Sequence, residues 1–227
     1  MKNHPWRLLA AAVLVLNLTP VFAANAPRVR VTTSMGQFVI ELNPERAPLT
    51  VANFLRYVRE GQYTNTLFHR VVGNFVIQGG GHAASDMHLK IAHDPIFNES
   101  GNGLQNKRGA VGLARSDAPH SGNAQFYVDI ADNPDLDPVA TRWGYAVFGR
   151  VVEGMDVVDR IGAVATGAVG PFKTDAPIKP IVIEKIEEIT ASTPAPAPAA
   201  PAVAPAGPEA PPAAPAAPAA TPSSPSH

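Results

Sequence analysis

Cysteine is absent from the 227 residues. Disulfides, thiol nucleophiles and thiolate metal sites are therefore excluded, and the core holds together by burial alone. Charge is also scarce. Charged residues make up 16% of the chain and the formal net charge is -1, which gives no electrostatic case for binding nucleic acid or an anionic membrane. Phosphate-binding signatures are missing as well. There is no GxxxxGK[ST] sequence and no GxGxxG in a dinucleotide context, and Gly79-Gly80-Gly81 reads as a turn rather than a phosphate cradle. No serine sits in a GxSxG elbow, and His120-Ser121 are loop neighbours rather than a productive nucleophile and base.

Both ends of the chain differ from its middle. Lys2 and Arg7 precede an apolar run from Leu8 to Leu18, broken by Asn17, and Val21-Phe22-Ala23 supplies small residues for cleavage after Ala23. The run falls short of the roughly 20 residues that span a bilayer. Residues 1–23 therefore read as a secretory signal peptide and the mature protein as periplasmic, the alternative being a retained membrane anchor. Residues 191–227 are almost entirely Ala and Pro with some Ser and Thr, and half of the 24 prolines lie there. Such a segment buries too little to offset the entropy of ordering. It reads as a disordered, partly polyproline-II spacer or tether, or as a docking peptide for a proline-recognition module.

Residues 27–190 read as one globular domain. Val29–Thr33 and Phe38–Leu42 flank Ser34-Met35-Gly36 and predict a hairpin. Thr50 is placed as the N-cap of a helix in which Val51, Phe54, Leu55 and Val58 recur at helical spacing until Gly61. Short β-type runs follow at 67–71, 75–78, 110–114, 125–130 and 145–151. A second helix is expected over 155–161, closed by Gly162, and a last strand over 181–189. Many short strands with few helices point to an antiparallel barrel or sandwich, and a barrel with two helices over its open ends is preferred.

Two clusters of side chains invite chemistry. His82, His88 and His93 lie near Asp86 and Asp94, but the spacing matches neither HExxH nor a calcium loop, so a solvated loop is the better reading. The second cluster is Phe68-His69-Arg70 followed by Phe75-Val76-Ile77-Gln78-Gly79-Gly80, a lone arginine beside an apolar wall. Charge normally stays in water, so this pairing suggests a site that holds something apolar and pulls on one polar atom of it. In an ideal strand Phe68 and Arg70 share a face and His69 takes the other. By the same alternation Gln125 and Tyr127 oppose Phe126. Arg70, Gln125 and Tyr127 are thus expected on one outer face, with His69 and Phe126 serving the interior. Which of Phe68 and Arg70 turns inward is left to a twist or bulge.

The stretches Phe68-His69-Arg70-Val71 and Phe75-Val76-Ile77-Gln78-Gly79-Gly80 resemble the signature of the cyclophilin-type peptidyl-prolyl cis-trans isomerases. The resemblance runs on through residues 108–115, 124–128 and 144–149, covers about Val29 to Ile189, and looks like the bacterial periplasmic branch. It implies a mainly-β fold, an eight-stranded antiparallel barrel capped by two α-helices, with the site on the barrel's outer surface. It places the catalytic arginine at Arg70, with Phe75 and Gln78 beside it. Val76, Tyr127 and Leu136 complete a proline pocket with Phe75, while Ala114, Arg115, Gln125 and Tyr145 bind the flanking peptide. Departures from the better-known eukaryotic pattern are Val76 for methionine, Arg115 for asparagine, Tyr127 for phenylalanine and Tyr145 for histidine. Asp135 stands where a tryptophan contacting cyclosporin is frequent, so weak cyclosporin binding is expected.

The implied activity is metal-free, cofactor-free isomerisation of proline-containing polypeptides during the folding of exported proteins. No nucleic acid partner and no stable membrane insertion after signal cleavage are expected, and a monomer is the default. Two rivals are carried: a proline-peptide binding or chaperone module without useful catalysis, and a metal-binding periplasmic protein built on the histidine loop.

Overall fold

Alternation with a period of two gives a strand one apolar side, and residues 28–42 use that side to start a barrel. In the computed structural model, which describes residues 26–189, β1 (Arg28–Thr33) pairs antiparallel with β2 (Gly36–Leu42). Val29, Val31, Phe38, Ile40 and Leu42 are buried. The chain continues through β3 (Thr66–Val72), β4 (Val76–Ala83), β5 (Ala110–Leu113), β6 (Phe126–Asp129) and β7 (Val147–Glu153). A separate hairpin, β8 (Thr166–Val169) with β9 (Phe172–Pro177), precedes the last strand β10 (Val182–Ile189). Eight strands close in the order β1-β10-β3-β4-β6-β5-β7-β2, with every pairing antiparallel. The expected antiparallel barrel is present. The expected signal segment and the Ala/Pro-rich tail lie outside the described residues.

Two α-helices send apolar faces into the same core. Helix α1 (Pro48–Arg59) contributes Val51, Phe54, Leu55 and Val58, and α2 (Met155–Gly162) contributes Val157, Val158 and Ile161. Phe54 sits at the centre, with ring centroids 5.2 Å from Tyr63, 5.6 Å from Phe126 and 5.1 Å from Phe148. Tilted and edge-on rings at such spacings are the favourable arrangements for aromatic pairs.

The barrel strands and both helices agree with the sequence pattern, two local assignments are corrected and one unexpected hairpin is found. Thr50 is not the N-cap of α1. Proline at Pro48 starts the helix early, because its missing N–H is one that a helix leaves unpaired anyway. Capping comes instead from Glu99 in a distant loop. Its carboxylate accepts from the Leu49 N–H at 3.0 Å, the Thr50 N–H at 2.8 Å and the Thr50 hydroxyl at 2.7 Å. Gly79-Gly80-Gly81 do not make a turn; they lie inside β4. Gly80 has φ +86, and a Cβ there would meet the Tyr63 ring at 2.8 Å, so the strand needs glycine to irregularly pass the core aromatics. The β8–β9 hairpin gave no alternation to read, since most of its side chains are exposed or only partly buried.

The distant cap predicts a measurable cost. Glu99→Ala should lower unfolding stability by about 1–2 kcal/mol, through lost capping and lost charge at the α1 N-terminus. A urea midpoint unchanged from wild type would contradict this.

Candidate functional site

Pairing between β3 and β4 decides where Arg70 points. Phe68 is opposite Gly79 and Arg70 is opposite Gln78, so β3 spends two residues where β4 spends one. His69 is the extra residue of a bulge, and the parity of the strand changes there. Phe68 and Val71 both enter the core, while Arg70 turns outward with its side chain 38% exposed. His69 does not serve the barrel interior. It lies under the β8–β9 hairpin, 4.5 Å from the His82 ring and 5.4 Å from the Phe172 ring. Burial, and then His82, push its pKa down to about 4, so it is neutral near pH 7.

The outer faces of β4 and β6 carry the rest. On β6, Phe126 and Val128 point into the core, which leaves Tyr127 and Asp129 outside. Tyr127 pairs with Gln78 on β4 and with Gly112 on β5. A Cβ at Gly112 would sit 2.1 Å from the Tyr127 ring, so only glycine lets that ring lie flat across β5. Val76, Ala114 and Tyr127 then form a small apolar cluster separate from the core, with Phe75, Leu136 and Tyr145 packed on it. Gln78 Nε2 donates to Gln125 Oε1 at 3.1 Å. The Arg70 guanidinium lies 5.9 Å from the Phe75 ring centroid, and Arg115 lies 4.3 Å from that of Tyr145. Arg70, Phe75, Gln78, Val76, Ala114, Arg115, Gln125, Tyr127, Leu136 and Tyr145 thus gather on one outer surface of the barrel. A cleft lined by Gln78, Gly81, Lys90, Ala114, Arg115 and Gln125 extends that surface.

Several polar residues behind this surface escaped the sequence reading. The Tyr127 hydroxyl donates to Asn106 Oδ1 at 2.5 Å, and Asn106 in turn donates to Asp137 Oδ1 from both its backbone N–H and its Nδ2 at 2.8 Å. Burial holds the Tyr127 phenol far above its usual pKa, so it remains a neutral donor. Asn133 donates from Nδ2 to the Phe75 carbonyl at 2.9 Å and to Asp129 Oδ1 at 2.6 Å. Asp129 is fully buried, and among the described residues its Oδ2 has no hydrogen-bond partner. Burial raises its pKa to about 7 against the opposing Asn133 hydrogen bond. Asp175, in β9 at φ +60, places a carboxylate oxygen 3.9 Å from Arg70 Nε. None of these has a motif of its own; each matters only through contacts made across the fold.

Other polar clusters are spoken for. His88 is paired with Asp86, His93 with Glu60 at 2.7 Å, and His82 contacts the Met87 carbonyl at 3.0 Å. Among the described residues no three metal-ligating side chains converge. A larger cleft, about 960 Å³, opens beside β2 and β7. Three of its charged residues are held in ion pairs, Glu41 with Arg28 at 2.7 Å and with Arg150 at 2.9 Å, and Arg108 with Asp159 at 2.8 Å.

Comparison with known proteins agrees with this geometry. Residues 28–188 match the family model described as cyclophilin type peptidyl-prolyl cis-trans isomerase/CLD. The chain is 46% identical over 187 residues to peptidyl-prolyl cis-trans isomerase A of Dickeya dadantii, covering 81% of this chain and 97% of the relative. It is 48% identical over 157 residues to peptidyl-prolyl cis-trans isomerase B of Escherichia coli, covering 68% of this chain and 94% of the relative. A solved cyclophilin type isomerase from Cryptosporidium parvum shares the fold at a TM-score of 0.59 and 23% identity, over 73% of this chain and 98% of that one.

The two shifted groups act on stability in opposite directions. For Asp129 the folded pKa, about 7, lies above the ordinary 3.8, so its contribution is complete below about pH 4 and is lost as pH rises through 7. For His69 the folded pKa, about 4, lies below the ordinary 6.5, so its contribution is complete above 6.5 and is lost as pH falls through 4. The two slopes oppose each other in between. Asp129→Asn should therefore unmask a rise of ~2–3 kcal/mol between pH 4 and 6.5 that the wild type lacks. Urea unfolding at a series of pH values tests this, and parallel curves for the two proteins would refute it.

Proposed function

The chain belongs to the cyclophilin-type peptidyl-prolyl cis-trans isomerases, an enzyme family that acts on X-Pro bonds, and we propose that Arg70 is the group by which it does so. The observation that carries the reading is a guanidinium fork without a hydrogen-bond partner among the described residues, beside the apolar cluster of Val76, Ala114 and Tyr127. The 3.9 Å separation from Asp175 is too long for a hydrogen bond, which leaves the guanidinium N–H groups open to a substrate.

Amide resonance opposes rotation about the X-Pro bond by about 18–20 kcal/mol. Exchange without catalysis takes tens to hundreds of seconds. Twisting the bond removes that resonance and localises a lone pair on the prolyl nitrogen. A donor aimed at the lone pair binds the twisted state more strongly than either planar state, and this difference accelerates the reaction. Arginine suits the task because it is always protonated and donates from a rigid planar fork. Phe75, Val76, Tyr127 and Leu136 hold the proline ring, with Tyr145 packed at their edge, and keep water from the donor, which strengthens the hydrogen bond. Gln78, paired with Gln125, presents an amide to the peptide carbonyl. Asp175 lies beside the guanidinium without locking it, since an exposed ion pair contributes about 1 kcal/mol or less.

In this reading the substrates are proline-containing segments of exported proteins, and the enzyme works as a monomer in the periplasm after loss of residues 1–23. The apolar run before Ala23 supports export. The Ala/Pro-rich tail acts as a spacer or tether. Asp135 is exposed and its carbonyl accepts from Arg142 at 2.7 Å, so the rim near Leu136 presents a polar side chain where an apolar contact would be needed for tight cyclosporin binding.

Arg70→Ala should lower kcat/KM on a prolyl peptide by on the order of 100-fold, the scale of losing one transition-state donor. The side chain is partly exposed, so the unfolding midpoint should hardly move. Proline-limited refolding of a test protein separates enzyme from binding module. Acceleration by catalytic amounts is expected; protection only at stoichiometric amounts, or near-normal rates in the variant, would overturn the proposal. Cyclosporin should inhibit poorly, and nanomolar inhibition would contradict the role given to Asp135.

A further inference from the structure

The pocket does not end at Tyr145. Two positions earlier in the chain stands Trp143, which with Phe97 and His120 forms an exposed group of three rings. Phe97 and His120 are stacked with centroids 4.3 Å apart, and Trp143 meets them edge-on at 5.6 and 5.0 Å. Phe97 is 54% exposed and Trp143 40% exposed, and they are the two aromatic members of the exposed large hydrophobic side chains among the described residues. Aromatic area left in water beside a binding site is a recurrent mark of an interaction surface.

The rings come from three separate loops, and one buried residue ties these together. Asn98, 5% exposed, donates its backbone N–H to His120 Nδ1 at 3.1 Å. Its Nδ2 donates to the carbonyls of Pro119 and Gly144, each at 3.0 Å. Ser100 Oγ accepts from the Gly144 N–H at 3.1 Å. A Cβ at Gly144 would sit 2.4 Å from the Pro138 nitrogen, so the loop that carries Trp143 is packed tightly against itself. The three rings are held in place before anything binds, which lowers the ordering cost of a ligand.

Arg115 joins this platform to the pocket. Its guanidinium lies 4.3 Å over the Tyr145 ring, while Nη2 donates to the Trp143 carbonyl at 2.9 Å and Nε to the Gly144 carbonyl at 3.2 Å. The apolar surface of the platform therefore begins where the Tyr145 wall of the pocket ends. Two residues of extended backbone reach about 7 Å. A substrate chain leaving the pocket in that direction covers the platform with a side chain two to four residues from its proline.

We infer that Phe97, His120 and Trp143 form a secondary substrate subsite that takes an aromatic or large aliphatic side chain two to four residues from the isomerised proline. The inference rests on the isomerase reading of the Arg70 pocket. Continuity with that pocket favours the substrate's own flank as occupant. A second copy of the chain is disfavoured, because three rings offer far less than the roughly 800 Å² per partner of a standard interface.

The test uses the full chain and two series of peptides that differ only in Phe or Ala, placed two, three or four residues before or after the proline. The wild type should turn over the best Phe peptide with kcat/KM roughly 5-fold or more above its Ala twin, the scale of one aromatic contact. The gain should appear in KM rather than kcat, because a remote contact is equally present in the planar and twisted states. Phe97→Ser, at an exposed position, and Trp143→Ala should each remove the preference while leaving turnover of the Ala peptide within about 2-fold. Equal turnover of both peptides at every position, or a preference that survives both variants, overturns the subsite alone. Absence of turnover with either peptide overturns the isomerase reading and the subsite with it. A concentration-dependent dimer abolished by Phe97→Ser, without any peptide preference, assigns the platform to a second copy and overturns the inference.

Discussion

Every residue on the outside of β3, β4 and β6 is there because its neighbour is inside. The barrel interior is filled by Phe68, Ile77, Phe126 and Val128, packed around Phe54 of α1. Strand alternation then forces Val76, Gln78, Tyr127 and Asp129 onto the opposite surface. One extra residue in β3, His69, resets the parity so that Phe68 and Arg70 do not compete for the same side. The core and the candidate site are two faces of one sheet. A change that slips the register of β3 against β4 would expose Phe68 and bury Arg70 together.

Placing aromatic and aliphatic groups on an outer surface requires support from behind, and here the support is polar. The Tyr127 hydroxyl reaches Asn106 and, through it, Asp137, so a large ring lies flat over Gly112 with its one polar atom satisfied. Asn133 links the Phe75 backbone to Asp129. This second link is less economical. Asp129 sits in an apolar setting with its pKa lifted to about 7, so it carries a cost near neutral pH that an amide would avoid in part. His69 has the mirror-image cost at low pH. Protonation of these two buried groups thus bears on stability between about pH 4 and 7.

The surface built this way suits an uncharged reaction. Rotation about an X-Pro bond moves no proton to or from the enzyme, so no residue need be tuned as an acid or base. What the reaction asks for is a fixed donor, a dry hollow for a five-membered ring and a grip on the flanking chain. In the proposed mechanism Arg70, the Phe75–Tyr127 cluster and the Gln78–Gln125 pair take these parts in turn. The inferred aromatic subsite at Trp143 would extend the grip along the chain, its loops tied by Asn98 as well as by the packing of its rings.

Much of this was legible before any contact was known. Alternating apolar residues predicted the barrel strands but not the β8–β9 hairpin, helical spacing predicted α1 and α2, and the Phe68–Gly80 stretch with its three companion segments pointed to the isomerase family. Period-2 and period-3.6 patterns are local, so a reader of the chain can find them. The failures share one cause. Thr50 looked like a cap because Glu99, the group that caps the helix, is 49 residues away. Three glycines looked like a turn because the groups that demand them, Leu67 and Phe68 at Gly79, the Tyr63 ring at Gly80 and the Gln125 side chain at Gly81, come from other segments of the fold. His69 looked interior because a bulge in the pairing with β4 is invisible in β3 alone. Asn106, Asn133, Asp129 and Asp175 carry no motif. The residue types and their order determined the barrel, its core and the chemistry available at Arg70. Register, bulges and long-range hydrogen bonds, which exist only between distant segments, decided which side chains gather on the outer surface and what holds them there.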